Sequence, residues 1–263
     1  MRNITRYSNT EMSKIEAATI IVNHFIDELL ARATRHNRVR NYYDIGVIGY
    51  SGDDAISLLG DDDRVLQEIT RLADSQPQPK TIHLNQRYPD GTLQSVPFNI
   101  HPWIEPTAAG ASPMYNALIM AKIILKEWCN DPQNNSSHPP IIFHITDGVA
   151  NDADDFDMGA ISDEIKNISK HNGNVMLFNV YLATVGEGDE SEEIYPCELT
   201  FASGDRNCEF LYNISSQLPS EFETNVSQFL EANSIGPYRA VAFNISPISL
   251  LSIISIGTES GNH

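Results

Sequence analysis

Cysteine is scarce in this chain: Cys129, Cys197 and Cys208 are the only ones among 263 residues. No Cys-x-x-Cys pair occurs, which argues against a zinc site built on thiolates. A sparse, odd set of thiols fits a reducing compartment. Basic residues are also few: 17 Lys and Arg stand against 35 Asp and Glu, for a net charge of −18. That excess repels phosphate backbones and anionic lipid surfaces, so nucleic acid and membranes are poor partners. It suits cations, a basic partner, or solubility alone. No apolar signal core opens the sequence and no apolar run reaches the length of a membrane span. A cytoplasmic location is the expectation.

Several catalytic signatures are missing as well. There is no Gly-x-Ser-x-Gly elbow, no Gly-x-x-x-x-Gly-Lys phosphate loop and no His-Glu-x-x-His pair. The aromatic residues do not interleave with basic ones, so a nucleic-acid platform is unsupported. Hydrophobic residues make up 41% of the chain, enough to build a core and to argue against disorder.

What is present is an alternation of strand and helix signals. Ser13 and Glu16 form a Ser-x-x-Glu capping box. The helix behind it carries Ile15, Ala18, Val22, Phe25 and Leu29 on one face. Residues 45–50 (IGVIGY) read as a buried strand ending in the polar turn Ser51-Gly52-Asp53-Asp54. Residues 58–75 suggest a helix starting near Asp61-Asp62-Asp63, whose charges complement a helix N-terminus. Residues 76–100 suggest a hairpin or irregular excursion turning at Pro89-Asp90-Gly91. Residues 100–104 suggest a short edge strand, since Pro102 opposes a central one.

The clearest helix runs over 113–129, with Ser112 as its cap and Pro113 as its first residue. Met114, Leu118, Ala121, Leu125 and Trp128 line its apolar face. A buried strand follows at 141–145, then a helix over 155–170 stopped at Asn172-Gly173. Residues 175–182 (VMLFNVYL) make another buried strand, 209–212 a short strand and 219–230 a helix. One domain spans 1–263, with 238–263 as an apolar C-terminal tail docked on the core. Strands alternating with helices predict a doubly wound, mostly parallel sheet with helices on both faces.

In such sheets ligands bind outside the carboxyl ends of the strands. Ser51 and Asp53 follow one strand, Glu105, Thr107 and Ser112 follow another, and Asp147 follows 141–145. Hydroxyls and carboxylates are hard donors suited to Mg²⁺ or a similar ion. Each has a plainer role too: Ser112 as a helix cap, Asp147 as a turn residue. Asp152, Asp154, Asp155 and Asp157 fail the EF-hand spacing and read as a solvated acidic turn opening a helix. His144 reads as a buried, hydrogen-bonded core residue.

The run GASPMYNAL (110–118) followed by IIFHITDG (141–148) resembles the von Willebrand factor type A (VWA) family. The stretch IGVIGYSG (45–52) and the late FNIS and LLSIISIGT segments fit the same layout. The likeness is closest to stand-alone bacterial members and covers nearly the whole chain. It implies a Rossmann-like α/β fold with a metal-ion-dependent adhesion site, and a role in binding proteins rather than catalysis. By that resemblance Ser112 takes the position of the family's threonine ligand and Asp147 that of its aspartate; Thr107 is the weaker candidate. Mg²⁺ or Mn²⁺ would be the ion, and an acidic side chain of a partner protein would complete it.

One departure is large. The family's Asp-x-Ser-x-Ser loop, at the end of its first, central strand, is absent from the sequence. By the resemblance Met1 falls just after that motif. The missing strand is therefore expected upstream of Met1, with donation by a neighbouring chain or a degenerate domain as alternatives. With only Ser112 and Asp147 as ligands, ion binding is expected to be weak or absent. Two rival functions stand beside this one: a metal-assisted hydrolase built on Asp53, Glu105 and Asp147, and an ion-free structural subunit.

Overall fold

Ser13 and Glu16 close on each other at the start of α1 (Lys14–Ala33). The Ser13 hydroxyl accepts from the Glu16 amide at 3.3 Å and the Glu16 carboxylate accepts from the Ser13 amide at 3.0 Å. Two of the helix's orphan donors are thereby satisfied by local sequence alone. The structure is a computed structural model. It describes residues 4–7, 10–60, 64–87, 92–107, 110–148, 150–182, 193–199, 205–231 and 236–243.

A hairpin, β1 (Ile4–Tyr7) and β2 (Thr10–Ser13), leads into α1. After a tight antiparallel pair of residues 34–35 with 38–39 comes the hairpin β3 (Ile48–Ser51) and β4 (Asp54–Ser57), turning at Gly52-Asp53. The short α2 (Ile69–Asp74) precedes a long hairpin, β5 (Lys80–Arg87) and β6 (Leu93–Ile100). Then come α3 (Met114–Asn130), β7 (Ile141–Thr146), α4 (Asp155–Lys166) and β8 (Met176–Tyr181). Last are β9 (Glu193–Ile194), α5 (Arg206–Ile214), α6 (Ser220–Phe229) and β10 (Val241–Phe243).

The centre is a four-stranded sheet in the order β7-β8-β10-β9. β7 and β8 run parallel in the register Ile141↔Met176 to Thr146↔Tyr181. β8 and β10 are also parallel, and β9 is antiparallel to β10. Helices cover both faces. Phe178 and Val180 pack in one cluster with Ala17, Ile21 and Leu29 of α1 and Val226 of α6. Leu177 faces the other way, onto Met114 and Leu118 of α3 and Met158, Ile161 and Ile165 of α4. Tyr181 joins Leu211 and Ile214 of α5 with Val241 and Phe243 of β10. A strand buried on both faces needs apolar residues at successive positions, as 175–182 supplies.

The chain is thus a mixed α/β protein, but one continuous doubly wound sheet is not formed among the described residues. The other ladders are two-stranded and antiparallel. The expected strand 45–50 divides: residues 44–45 pair with 67–68, and β3 begins at Ile48. At the break the chain passes so close that a Cβ on Gly46 would lie 3.3 Å from the Val65 carbonyl.

Other local expectations also change. The helix expected over 58–75 shrinks to α2, because residues 67–68 are taken into a strand pair; Asp61-Asp62-Asp63 lie outside the described residues. Residues 209–212 are helical within α5: Asp205 caps its first amides, and Cys208, Leu211 and Ile214 fall buried on one face. Residues 101–104 form no strand. They are clamped onto α1, where the Asn23 side chain pairs with the Ile104 backbone at 2.9 and 3.0 Å. Asp27 accepts there from the Trp103 indole at 2.8 Å and the His101 amide at 3.1 Å. α4 stops at Lys166, before the expected Asn172-Gly173. Of the expected tail, Tyr238 and 240–243 are buried and β10 joins the sheet; residues 244–263 lie outside the described residues. Among the described residues no helix is long and apolar enough to cross a membrane.

Candidate functional site

Three loops meet beyond the carboxyl end of β7. The Gly52 amide, in the β3–β4 turn, donates to the Ala111 carbonyl at 3.0 Å. An added Cβ on Gly110 would sit 3.5 Å from Gly52 Cα, so the two backbones are in contact. The Ser112 amide donates to Asn151 Oδ1 at 2.8 Å, and the Asn151 amide returns a bond to the Ser112 carbonyl at 3.2 Å. The loop after β3, the loop before α3 and the loop after β7 are therefore stitched into one surface.

Asp147 leaves β7 directly into this surface. The turn behind it depends on glycine. Gly148 has φ +92°, and an added Cβ would lie 2.7 Å from Asn207 Cβ and 2.9 Å from the Tyr181 ring. Only glycine holds that left-handed, crowded backbone without strain. The Gly148 amide donates to the Thr146 hydroxyl at 3.0 Å, which fixes the direction in which the chain departs.

Ser112 does not cap α3. The helix begins at Met114 with Pro113 before it, and no side chain of that flanking residue takes its amides. Asp152 does so from the opposite loop: its two carboxylate oxygens accept from the Tyr115 amide at 3.1 Å and the Asn116 amide at 2.9 Å. The Ser112 hydroxyl has no hydrogen bond among the described residues; its backbone makes the bonds to Asn151. Asp154 caps α4 through the Asp157 amide at 2.9 Å, so the acidic run 152–157 does open a helix, while its first member serves a different one.

Beneath these loops lies a buried polar relay. His144 Nδ1 lies 2.7 Å from Asn179 Oδ1, and His144 Nε2 lies 3.1 Å from the Tyr50 hydroxyl. Asn179 Nδ2 donates to the Ser215 hydroxyl at 2.7 Å. Because the Asn179 oxygen can only accept, His144 Nδ1 carries a proton and Nε2 is the acceptor in the neutral ring. Burial pushes the His144 pKa down, opposed by the Asn179 bond. Burial pushes the Tyr50 phenol well up, opposed by a hydrogen bond with the Thr146 side chain, and the charges of Asp147 and Asp152 add to the rise. Tyr50 thus stays protonated close behind the two carboxylates.

Asp53 is exposed in the β3–β4 turn, beside the Gly52 contact. Glu105 and Thr107 are exposed, with Thr107 donating to the Glu105 carbonyl at 3.5 Å. Among the described residues no hydrogen bond joins either of them to the Asp147 loop. Tyr50, Asn151 and Asp152 are the site members that local sequence did not single out for this place. The signal for Asn151 and Asp152 was proximity in sequence to Asp147; Tyr50 had none. Among the described residues no group of three or more His, Cys, Asp or Glu side chains is placed to hold a metal ion.

The cysteines lie elsewhere and all three are free, with Cys129 and Cys208 buried. Burial, aided by Asp205, pushes the Cys208 thiol up to about 12, so it remains a thiol. An open groove of about 450 Å³ runs between α4 and α5, over Phe210 and Ile214 and past the Asp155–Arg206 ion pair. No family model, no curated protein and no solved structure matches this chain.

Proposed function

We propose that this chain is a protein-binding module of the VWA type, which engages its partner at the surface formed by the three loops beyond β7. The observation that carries the reading is the convergence of the Gly52, Ser112 and Asp147 loops on one edge, tied by the Gly52–Ala111 and Ser112–Asn151 hydrogen bonds. Asp147 follows a strand of the parallel pair β7–β8, and ligands bind outside the carboxyl ends of such strands in α/β sheets, which supports the reading. The finer expectation of a doubly wound VWA sheet belongs to the same proposal.

In this reading Ser112 Oγ and the Asp147 carboxylate are the protein's ligands to a Mg²⁺ or Mn²⁺ ion. An acidic side chain of the partner takes an open position on it. Tyr50 and Asp152 hold the loops and do not coordinate. The role is binding, not turnover. A site with one carboxylate and one hydroxyl is weak, with Kd about 10⁻³ M or higher.

Titration of the labelled full chain with Mg²⁺, followed by amide NMR, tests this. Shifts confined to Ala111, Ser112, Gly148 and Asn151, abolished in Asp147→Asn, are expected. No shift in these amides overturns the ion-dependent reading and leaves an ion-free subunit. Turnover of a generic phosphoester that is lost in Asp147→Asn would instead move the protein to the hydrolases.

A further inference from the structure

Arg32, Arg35, Arg38 and Arg40 bring four of the chain's 17 Lys and Arg into nine residues. No Asp or Glu occurs from residue 29 to residue 43. In a chain of net charge −18 this is a local reversal of sign. Arg32, in the last turn of α1, is matched by the Glu28 carboxylate at 3.2 Å. Its charge also complements the helix C-terminus. The other three lie beyond the helix and need a separate account.

A tight turn sets their positions. Thr34 pairs with Val39 and Arg35 with Arg38, which leaves His36 and Asn37 as the two residues of the loop. Both are left-handed, at φ +51° and +59°, as the favoured two-residue hairpin turn requires at both positions. The Arg40 amide donates to the Ala33 carbonyl at 2.9 Å and ties the return strand to the end of α1. Exposure alternates along that strand. Arg38 and Arg40 are exposed, and Val39 between them is half-buried against the core cluster that holds α1. Arg38 and Arg40 thus share the outer face. Arg35, also exposed, stands directly across from Arg38.

Like charges directly opposite each other on a ladder are destabilising. Arg35 and Arg38 spring from Cα positions ~5.5 Å apart, and Arg40 is one step along the same face. Among the described residues no carboxylate forms an ion pair with any of the three. The one hydrogen bond their side chains make to the described residues runs from Arg35 to the Thr34 carbonyl, at 3.0 Å. The fold therefore holds three guanidiniums together at a cost in repulsion, on a rigid turn, with their donors outward.

We infer that Arg35, Arg38 and Arg40 form a docking site for a short acidic segment of a partner protein. A guanidinium matches a carboxylate through two parallel N–H bonds. Three of them on one turn take successive Asp or Glu side chains and relieve the repulsion. The shortness of the segment matters. At ~0.15 M ionic strength exposed charges beyond ~8 Å are screened, so a short segment meets the arginines rather than the whole chain. A long polyanion or an anionic membrane extends past them, over a molecule in which 35 Asp and Glu stand against 17 Lys and Arg. The site shares no residue with the three loops beyond β7 and stands independently of any ion at Asp147.

Fluorescence anisotropy of a labelled octaglutamate peptide, titrated with the full chain, is the test. Binding is expected, and it should weaken as salt rises from ~0.05 to ~0.3 M. The triple variant Arg35→Gln, Arg38→Gln, Arg40→Gln should weaken it at least ~10-fold. Arg206→Gln removes a positive charge from the exposed pair with Asp155 and should change binding less than ~2-fold. Amide NMR of the unsubstituted chain separates docking from any folding defect in the variants: octaglutamate should shift the His36, Asn37 and Arg38 amides. No binding, or no shift at these amides, overturns the inference. So does equal weakening by Arg206→Gln, which reduces the effect to net charge. Tighter binding of a single-stranded oligonucleotide or of phosphatidylserine vesicles, lost in the triple variant, assigns the arginines to nucleic acid or lipid and overturns the protein partner. Self-association that the triple variant abolishes assigns them to a second copy and overturns it equally.

Discussion

His144 is held in its neutral form by what surrounds it. Its Nδ1 donates to Asn179 and its Nε2 receives the Tyr50 hydroxyl, inside a buried part of the sheet. Burial lowers its folded-state pKa below the ordinary 6.5. The unfolded chain then binds more protons than the folded one between the two values, so stability rises with pH across that window. The contribution is complete above pH 6.5 and is lost as pH falls toward the folded pKa. Urea unfolding at pH 7.5 and 5.5 should show a loss on acidification that His144→Gln reduces. Half-buried His24, also lowered by burial, supplies a remaining slope of the same sign. An unchanged pH slope in His144→Gln would remove His144 from the account. The sequence placed this histidine in a strand and in the core; it could not show that Tyr50 and Asn179 would be its partners, because each is distant in sequence.

At the scale of the element, α1 and α3 solve the same problem from different sources. α1 satisfies its first amides with Ser13 and Glu16, three residues apart, and that solution is readable in four letters of sequence. α3 takes its cap from Asp152, more than thirty residues downstream. Asp152→Ala should therefore destabilise the fold by about 1 kcal/mol, while Ser112→Ala should cost far less, since Ser112 makes no capping bond. Chemical denaturation of the two variants measures this directly, and equal losses would return the cap to Ser112. The same contrast explains α5. Its short length and mixed composition imitate a strand over 209–212, and the i, i+3 and i+6 burial of Cys208, Leu211 and Ile214 is visible only once β8 and β10 supply the surface they cover.

For the whole molecule, β8 is the strand that joins the two halves of the core. Phe178 is buried on the α1 side and Leu177 on the α3–α4 side. Both side chains are fully buried. Leu177→Ala should cost about 2–5 kcal/mol and Phe178→Ala about 3–5 kcal/mol. Both losses should appear in one cooperative transition followed by circular dichroism and tyrosine fluorescence. A Leu177→Ala cost below about 1 kcal/mol would mean that this face of the sheet is loosely covered.

The sequence by itself determined the strands at 141–146 and 176–181, though only the second is buried along its length, Ile141 of the first being exposed; it also determined the long helices that begin near 14 and 114 and the turn chemistry at Thr146-Asp147-Gly148. Each depends on periodicity, caps and glycine, which act over a few residues. Pairing was decided elsewhere. Whether a run such as 45–50 remains one strand depends on which backbone groups come alongside, and residues 67–68 and 54–57 claim its two ends. The candidate site shows the same division. Ser112 and Asp147 could be picked from their turns, whereas the bonds that join their loops come from Gly52, Asn151 and Asp152. Backbone hydrogen bonds and carboxylates act at about 3 Å, and only the tertiary fold brings groups so far apart in the chain to that distance.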